Sequence, residues 1–107
     1  MKLRRDIFQA IADPTRRSIL VLLAAQTMTA GAIANKFNVA RPTISKHIQI
    51  LNECDLIVAN QHGREIHYQL KIDKMKEIDI WLEQFRKIWE NRFHNLDNVL
   101  NQLKNKK

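Results

Sequence analysis

Residues 29–54 read TAGAIANKFNVARPTISKHIQILNEC, and this stretch carries two amphipathic helical patterns on either side of the short break Asn38-Val39-Ala40. Two helices joined by so tight a connection are typical of a helix-turn-helix. Asn tolerates positive φ better than most non-glycine residues, so we expect Asn38 to take the left-handed conformation of the turn. Pro42 then starts the second helix, which is predicted to run to about Cys54.

The second helix has one apolar side and one polar side. At about 100° per residue, Ile44, Ile48 and Leu51 fall on one face, which predicts the buried side. Short polar and cationic side chains on the other side, close to a helix N-terminus, are suited to a DNA groove. We therefore predict DNA contacts from the exposed residues near the start of this helix: Arg41, Pro42, Thr43, Ser45, Lys46 and Gln49.

The side chains of this surface suggest different contacts. Lys46 can bond guanine acceptors or phosphate, Gln49 can pair with adenine, and Thr43 or Ser45 can reach base edges or phosphate. Arg41 at the mouth of the helix is expected on the phosphate backbone. The alternative for all of them is an ordinary solvated helix face.

His47 and Glu53 lie at the margins of the predicted reading surface. His47 leans toward the apolar side, which favours packing with a satisfied hydrogen bond over direct base contact. Glu53 is acidic and far from the helix start, where the helix should be leaving the groove.

Two short strand patterns follow, residues 56–60 and 64–70, around Gln61-His62-Gly63. A β-hairpin directly after a helix-turn-helix makes a winged helix. His62 and Arg64 near the hairpin tip are predicted to reach phosphates or the minor groove.

Helical patterns also flank this central motif. Residues 3–12 predict a first helix that ends before Asp13-Pro14, and Asp13 is expected to cap a second, largely buried helix with Pro14 at its first position. Thr29 is the predicted cap of the third helix, with Met28 and Ile33 placed for a hydrophobic staple. The helix that begins at Pro14 is predicted to bury four apolar residues, Ile19, Leu20, Leu22 and Leu23.

From about residue 74 to residue 103 the sequence is helical, with apolar residues at alternating spacings of three and four that are broken only at Arg92. A helix of about 30 residues is about 45 Å long, more than so small a domain can cover. We therefore predict a homodimer, with the alternative that the last helix folds back onto its own domain. The predicted dimer contacts on this helix are Ile78, Leu82, Phe85, Trp89 and Leu96.

These patterns together predict one domain over residues 1–107, mainly α with a small β-hairpin, in the order α-α-α-α-β-β-α. The 107 residues are 45% hydrophobic with a formal charge of +7, which suits a polyanionic partner. No apolar run approaches the ~20 residues that cross a bilayer, and no signal-like segment follows the basic start, so a cytosolic protein is expected. Two glycines are too few for a glycine-rich phosphate-binding loop, and no nucleophile and base occur together in a known catalytic motif. An enzyme is therefore not expected.

Three blocks in order identify a family resemblance: ADPTRRSILVLL at 12–23, ARPTISKHIQIL at 40–51 and GREIHY at 63–68. The chain resembles the ArsR/SmtB family of bacterial winged-helix repressors over about residues 4–100, and residues 28–34 with 41–45 look most like its SdpR-like autorepressor branch. The resemblance implies a homodimer that binds an imperfect palindrome in promoter DNA and blocks transcription. It also implies that the dimer is joined through the first and last helices, which adds Ile7 and Phe8 of the first helix to the predicted dimer contacts.

The resemblance also raises the question of a metal. The family's thiolate site needs a Cys-x-Cys pair on the third helix, and residues 29–34 have no Cys. At the positions of the last-helix site stand Ile72, Lys74, Phe85 and Ile88, none a suitable ligand. A shifted alignment brings Glu83, His94 and Asp97 near the required spacing, with Trp81 in fourth place. We therefore expect no metal and no cofactor, with an inducer that the sequence does not identify.

Two other functions share the same fold. A metal or redox sensor would add a ligand switch, but Cys54 lies beside apolar residues and is expected to be buried rather than reactive. A protein-interaction module would use exposed aromatics of the last helix, such as Trp81 or Trp89. The sequence-specific DNA-binding repressor explains the helix-turn-helix, the wing, the charge and the apolar stripe together.

Overall fold

The computed structural model describes residues 6–105, which form two compact units, one running to Lys76 and the other starting at Glu77. The first unit begins with α1, Ile7–Ile11, and α2, Pro14–Ala25. Asp6 caps α1 and Asp13 caps α2, each accepting a hydrogen bond from the amide three residues ahead at 2.9 and 3.0 Å. The predicted cap at Asp13 is therefore confirmed, while Leu3 of the predicted first helix lies outside the described residues.

The helix-turn-helix consists of α3, Ala30–Ala34, and α4, Arg41–Glu53. Thr29 caps α3 as predicted, accepting a hydrogen bond from the Ala32 amide at 3.2 Å, and Met28 and Ile33 are both buried. The turn differs from the prediction because Asn38 does not have positive φ. The chain leaves α3 instead through two i→i+3 bonds, from the Lys36 and Phe37 amides to carbonyls of the helix, so the connection needs no left-handed residue.

The left-handed residue lies at the other end of α4. Asp55 has φ of 62°, and it stands between the C-cap Cys54 and the buried Leu56. The Leu56 amide donates to the Leu51 carbonyl and the Asp55 amide to the Asn52 carbonyl, both at 3.1 Å, which is the Schellman pattern of helix termination. The Asp55 carboxylate also pairs with Lys71 Nζ at 2.9 Å, so this junction joins the end of α4 to the end of the wing.

The wing is a three-stranded antiparallel sheet rather than the predicted two-stranded hairpin. It comprises β1, Met28–Thr29, β2, Ile57–His62, and β3, Glu65–Leu70, in the order β1-β3-β2. Met28 pairs with Tyr68 and Thr29 with His67, so the residues that precede α3 form the third strand. The sheet therefore ties the wing to the start of the helix-turn-helix.

The core of the first unit comes from the apolar faces of its elements. The large side chains with less than 2% exposure are Ile19, Ile33, Ile44, Leu51, Leu56 and Ile57. The predicted buried face of α4 is thereby confirmed, as is burial of Cys54, which is 7% exposed. Leu22, predicted among the buried residues of α2, is only half-buried.

A short 3₁₀ helix, Ile72–Lys74, is followed by one long helix, α5, Met75–Asn105, which forms the second unit from Glu77 onward. Its 31 residues span about 46 Å at 1.5 Å per residue. No residue of α5 is buried. The large apolar side chains from Trp81 to Leu103 lie within an arc of about 140° on the helix surface, with exposures from 37% to 62%, whereas Ile80 lies outside that arc and is 73% exposed.

Candidate nucleic-acid interface

The exposed side of α4 carries the residues that the sequence assigns to DNA contact. Because Ile44, Ile48 and Leu51 are buried, the intervening side chains point outward. All six predicted contact residues are exposed: Arg41, Pro42, Thr43, Ser45, Lys46 and Gln49. The structure thus brings them together on one surface at the N-terminal part of one helix.

The start of α4 is open to an anion. Ala40 is the N-cap residue, and no side-chain hydrogen bond caps the helix. Pro42 has no N–H, and the Thr43 and Ile44 amides donate to the Ala40 carbonyl, so it is chiefly the helix dipole that favours negative charge at this end. Further along, Gln49 Nε2 donates to Glu53 Oε1 at 3.2 Å, so the Gln49 amide is held by its own helix before any base is present.

The wing tip is a two-residue turn formed by Gly63 and Arg64. His62 pairs with Glu65 across the hairpin, and Gly63 has φ of +64°, which is the left-handed value that a tight hairpin turn needs at its first central position. Arg64 is exposed at this tip. The ring of His62 meets the ring of His67 edge-on with centroids 5.0 Å apart, which places His62 on the wing surface behind Arg64.

Two arginines from different elements line one groove. Arg41 of α4 and Arg64 of the wing both border a concave surface that also includes the start of α3, Ile66 and Tyr68. The Arg41 guanidinium lies against Gly31, with Nη2 3.7 Å from the position that a Cβ would occupy there. The groove thus carries two permanent positive charges, one from the helix-turn-helix and one from the wing.

His47 faces inward from α4, as the packing alternative requires. Its side chain is 17% exposed, and Nδ1 lies 3.3 Å from Arg16 Nη1 and 3.9 Å from Asp13 Oδ2. Burial raises the pKa of the Asp13 carboxyl, but the hydrogen bond from the Arg16 amide and the nearby charges of His47 and Arg16 outweigh it and hold that pKa below its usual value of 3.8.

The predicted dimer residues fall into two groups. Ile7 is only 2% exposed within its own chain, so it belongs to the core of the first unit and offers little surface to a partner. Phe8 is 37% exposed. The α5 residues Leu82, Phe85, Trp89 and Leu96 are all exposed, and Ile78 is half-exposed.

Within residues 6–105, two further features bear on other kinds of site: the grouping of metal-ligand residues and the apolar character of the helices. No three or more His, Cys, Asp or Glu side chains of this range lie close enough to hold one metal ion, and Glu83 is instead paired with Arg86 at 3.0 Å. Among the helices of the same range, none combines the length and the apolar character that a membrane span requires.

Three features of the site were not predicted from the sequence. They are the contact of Arg16 with α4, the packing of Arg41 on Gly31, and the Asp55–Lys71 pair below the wing. Arg16 follows the helix start Asp13-Pro14 by two residues, but a contact 31 positions away leaves no local pattern. The Asp55 conformation had a usable signal, since a helix followed by a small polar residue and then a buried leucine is typical of a Schellman end.

Comparison with known proteins gives consistent results. The family model described as "Helix-turn-helix domain" matches residues 11–58. The transcriptional repressor SdpR of Bacillus subtilis (strain 168) is 41% identical over 80 residues, which cover 75% of this chain and 89% of that protein.

Solved structures agree in fold. A crystal structure of an ArsR family transcriptional regulator has a TM-score of 0.70 at 33% identity and covers 78% of this chain and 87% of its own. An ArsR-like transcriptional regulator from Rhodococcus sp. RHA1 has a TM-score of 0.66 at 29% identity, with 87% and 88% covered.

Proposed function

The chain belongs to the ArsR family of winged-helix, DNA-binding transcriptional repressors, and from that premise we propose that it binds a palindromic promoter operator as a homodimer through α4 and the wing tip. It acts by occupying DNA rather than by catalysis, in the cytoplasm, and without a metal. Its inducer is a molecule or protein of unassigned chemistry.

The single observation that carries the docking model is the shared surface of α4 and the wing. Thr43, Ser45 and Lys46 stand at the exposed mouth of a helix with an open N-terminus, where base edges of the major groove are within reach. Arg41 and Arg64 line the adjoining groove, where their guanidinium groups suit phosphate oxygens. Base contacts from α4 then supply specificity, while the arginines, with His62 beside the wing tip, supply affinity.

The homodimer rests on α5. A stripe of exposed aromatic and aliphatic side chains along about 33 Å, from Trp81 to Leu103, is far more apolar surface than a monomer ordinarily leaves in water. The spacing of three and four residues within the stripe is the spacing of helices that pack side by side. Phe8 lies on α1, the other element assigned to the dimer. Two copies joined in this way would present two reading helices about 34 Å apart, one turn of B-form DNA.

The docking model is tested by salt dependence. Lys46→Ala and Arg64→Ala should each weaken binding to an operator obtained by selection from random duplexes. Each lost phosphate contact should lower the slope of log affinity against log salt by about one. Lys87→Ala is the matched control, because it removes a lysine from the polar side of α5 and should leave both quantities unchanged. Unchanged affinity and slope in both interface variants would refute the docking of α4 and the wing.

A further inference from the structure

α4 packs on the rest of its domain through its apolar face, and its residue His47 adds a polar contact with Arg16. His47 lies within the first two turns of α4, directly after Lys46, and its imidazole turns toward the N-terminus of α2. There it meets Arg16 at 3.3 Å and Asp13 at 3.9 Å, both measured from Nδ1. Among the described residues, Arg16 and Asp13 are the charged side chains in contact with this ring.

Arg16 is held in place before it reaches His47. Its Nε donates to the Ala10 carbonyl at 2.7 Å and its Nη2 to the Gln9 carbonyl at 3.0 Å, both in the last turn of α1. Its own backbone amide donates to Asp13 Oδ2 at 3.0 Å. The remaining nitrogen, Nη1, is therefore presented to α4 from a fixed guanidinium plane.

The contact with Arg16 places a requirement on Nδ1 of His47. A guanidinium has donors and no acceptor, so Nδ1 of the imidazole must accept the hydrogen bond. The hydrogen bond with Arg16 therefore requires a ring whose Nδ1 carries no proton. With a proton on Nδ1 as well, the His47 N–H would face the Arg16 N–H, and the positive imidazolium would face the positive guanidinium. The Asp13 carboxylate, which lies near the same nitrogen, would attract the new N–H.

We propose that His47, by accepting from Arg16 at Nδ1, is a positioning residue for DNA recognition and that it makes recognition sensitive to pH. Protonation exchanges the partner of Nδ1 from Arg16 to Asp13. That exchange moves the His47 side chain relative to the corner of α1 and α2 and shifts the adjacent contact residues Ser45 and Lys46. The displaced helix loses its fit to base edges, whereas attraction to phosphates does not depend on so exact a position. The inference rests on the DNA-binding function proposed above.

The test measures the ratio of specific to nonspecific affinity. Purified full chain is titrated onto its selected operator and onto a random duplex of equal length, at about pH 7.5 and about pH 5.5 on either side of the usual histidine range. Because protonation of the other histidines adds charge toward both duplexes, the ratio removes that general effect. For the wild type, the ratio should fall about tenfold at the lower pH, the effect of losing one charge-assisted hydrogen bond.

Two variants separate positioning by His47 from the titration of the remaining histidines. Gln in His47→Gln offers an oxygen that accepts from Arg16 at both pH values, so its ratio should stay within about threefold. His94→Gln is the matched control, since His94 lies on the polar side of α5, and its ratio should fall as the wild-type ratio does. An equal pH response in the wild type and His47→Gln would overturn the proposal.

The same titrations exclude a direct phosphate contact. If protonated His47 bound phosphate, wild-type operator affinity at the lower pH would rise relative to His47→Gln, with a salt slope steeper by about one. That result would also overturn positioning. Absence of any operator preference at about pH 7.5 would instead count against the proposed operator-binding function, so the two failures are distinguishable.

A measurement on the unmodified chain covers the case in which a variant fails to fold. Long-range proton–nitrogen NMR of the histidine rings at about pH 7.5 identifies the tautomer directly. A non-protonated Nδ1 and a protonated Nε2 are expected for His47. A proton on Nδ1 at that pH would contradict the hydrogen bond with Arg16 and end the proposal.

Discussion

Asp55 is a residue whose backbone conformation matters as much as its side chain. It ends α4 with φ of 62°, a region where a side chain costs about 1 kcal/mol, and its carboxylate pairs with Lys71. Both Asp55→Gly and Asp55→Ala remove the ion pair, so the difference between them isolates the backbone.

We predict that Asp55→Gly is more stable than Asp55→Ala by about 1 kcal/mol in urea unfolding. At Asn38, which has no positive φ, the Gly variant should be no more stable than the Ala variant. Equal stability of the two Asp55 variants would contradict the role of the left-handed position.

Asp13 has a titration whose effect on stability has a definite sign. Its pKa in the folded protein lies below the usual 3.8, so the ionised carboxylate stabilises the fold above that pH, and the contribution is lost as the pH falls through the folded pKa. Asp13→Asn keeps a good helix cap and removes the charge.

The wild type should therefore exceed Asp13→Asn by about 0.5–1 kcal/mol near neutral pH, and the gap should close below about pH 4. Urea unfolding followed by circular dichroism at several pH values measures this difference. A gap that widens as the pH falls below about 4 would show that the sign is wrong.

At the scale of elements, the wing depends on its turn. A Cβ at Gly63 would meet nothing within 4 Å, so the cost of Gly63→Ala is conformational and arises from φ of +64°. We predict a loss of about 1 kcal/mol in the free energy of unfolding.

Gly31→Ala is the control for the wing turn, because Gly31 is helical and its new Cβ would make an ordinary 3.7 Å contact with Arg41. That variant should gain up to about 1 kcal/mol. Thermal or urea unfolding of the two proteins should move in opposite directions.

Elements fixed by local chemistry were predictable from the sequence, and those fixed by distant pairing were not. The face of α4, the caps at Asp13 and Thr29 and the hairpin follow from residue spacing and turn chemistry. The strand at Met28–Thr29 has two residues and exists through pairing with β3, which no local pattern encodes. The turn at Asn38 was mispredicted because helical i→i+3 bonds replaced the left-handed residue.

At the scale of the whole molecule, the apolar stripe of α5 predicts the state of assembly. Phe85→Glu places a charge within the stripe and should convert a dimer into a monomer at micromolar concentration, with loss of operator binding. Ile80→Glu is the matched control, since Ile80 is 73% exposed and lies about 140° around the helix from Phe85. Sedimentation equilibrium gives the masses, and a wild-type mass of one subunit would refute the dimer.

The candidate site was predictable in part at this scale. Exposure of Arg41, Lys46 and Arg64 follows from amphipathic spacing and from their place at a turn. The convergence of Arg41 with Arg64 and the contact of His47 with Arg16 depend on how separate elements pack, which spacing within one element does not specify.

The pairing of β1 with β3 has a consequence for protein engineering. Because Met28 and Thr29 supply the third strand, the wing is not an interchangeable module. Chimaeras that import a hairpin from a relative must import the matching dipeptide ahead of α3, or the grafted hairpin will lack its anchoring edge.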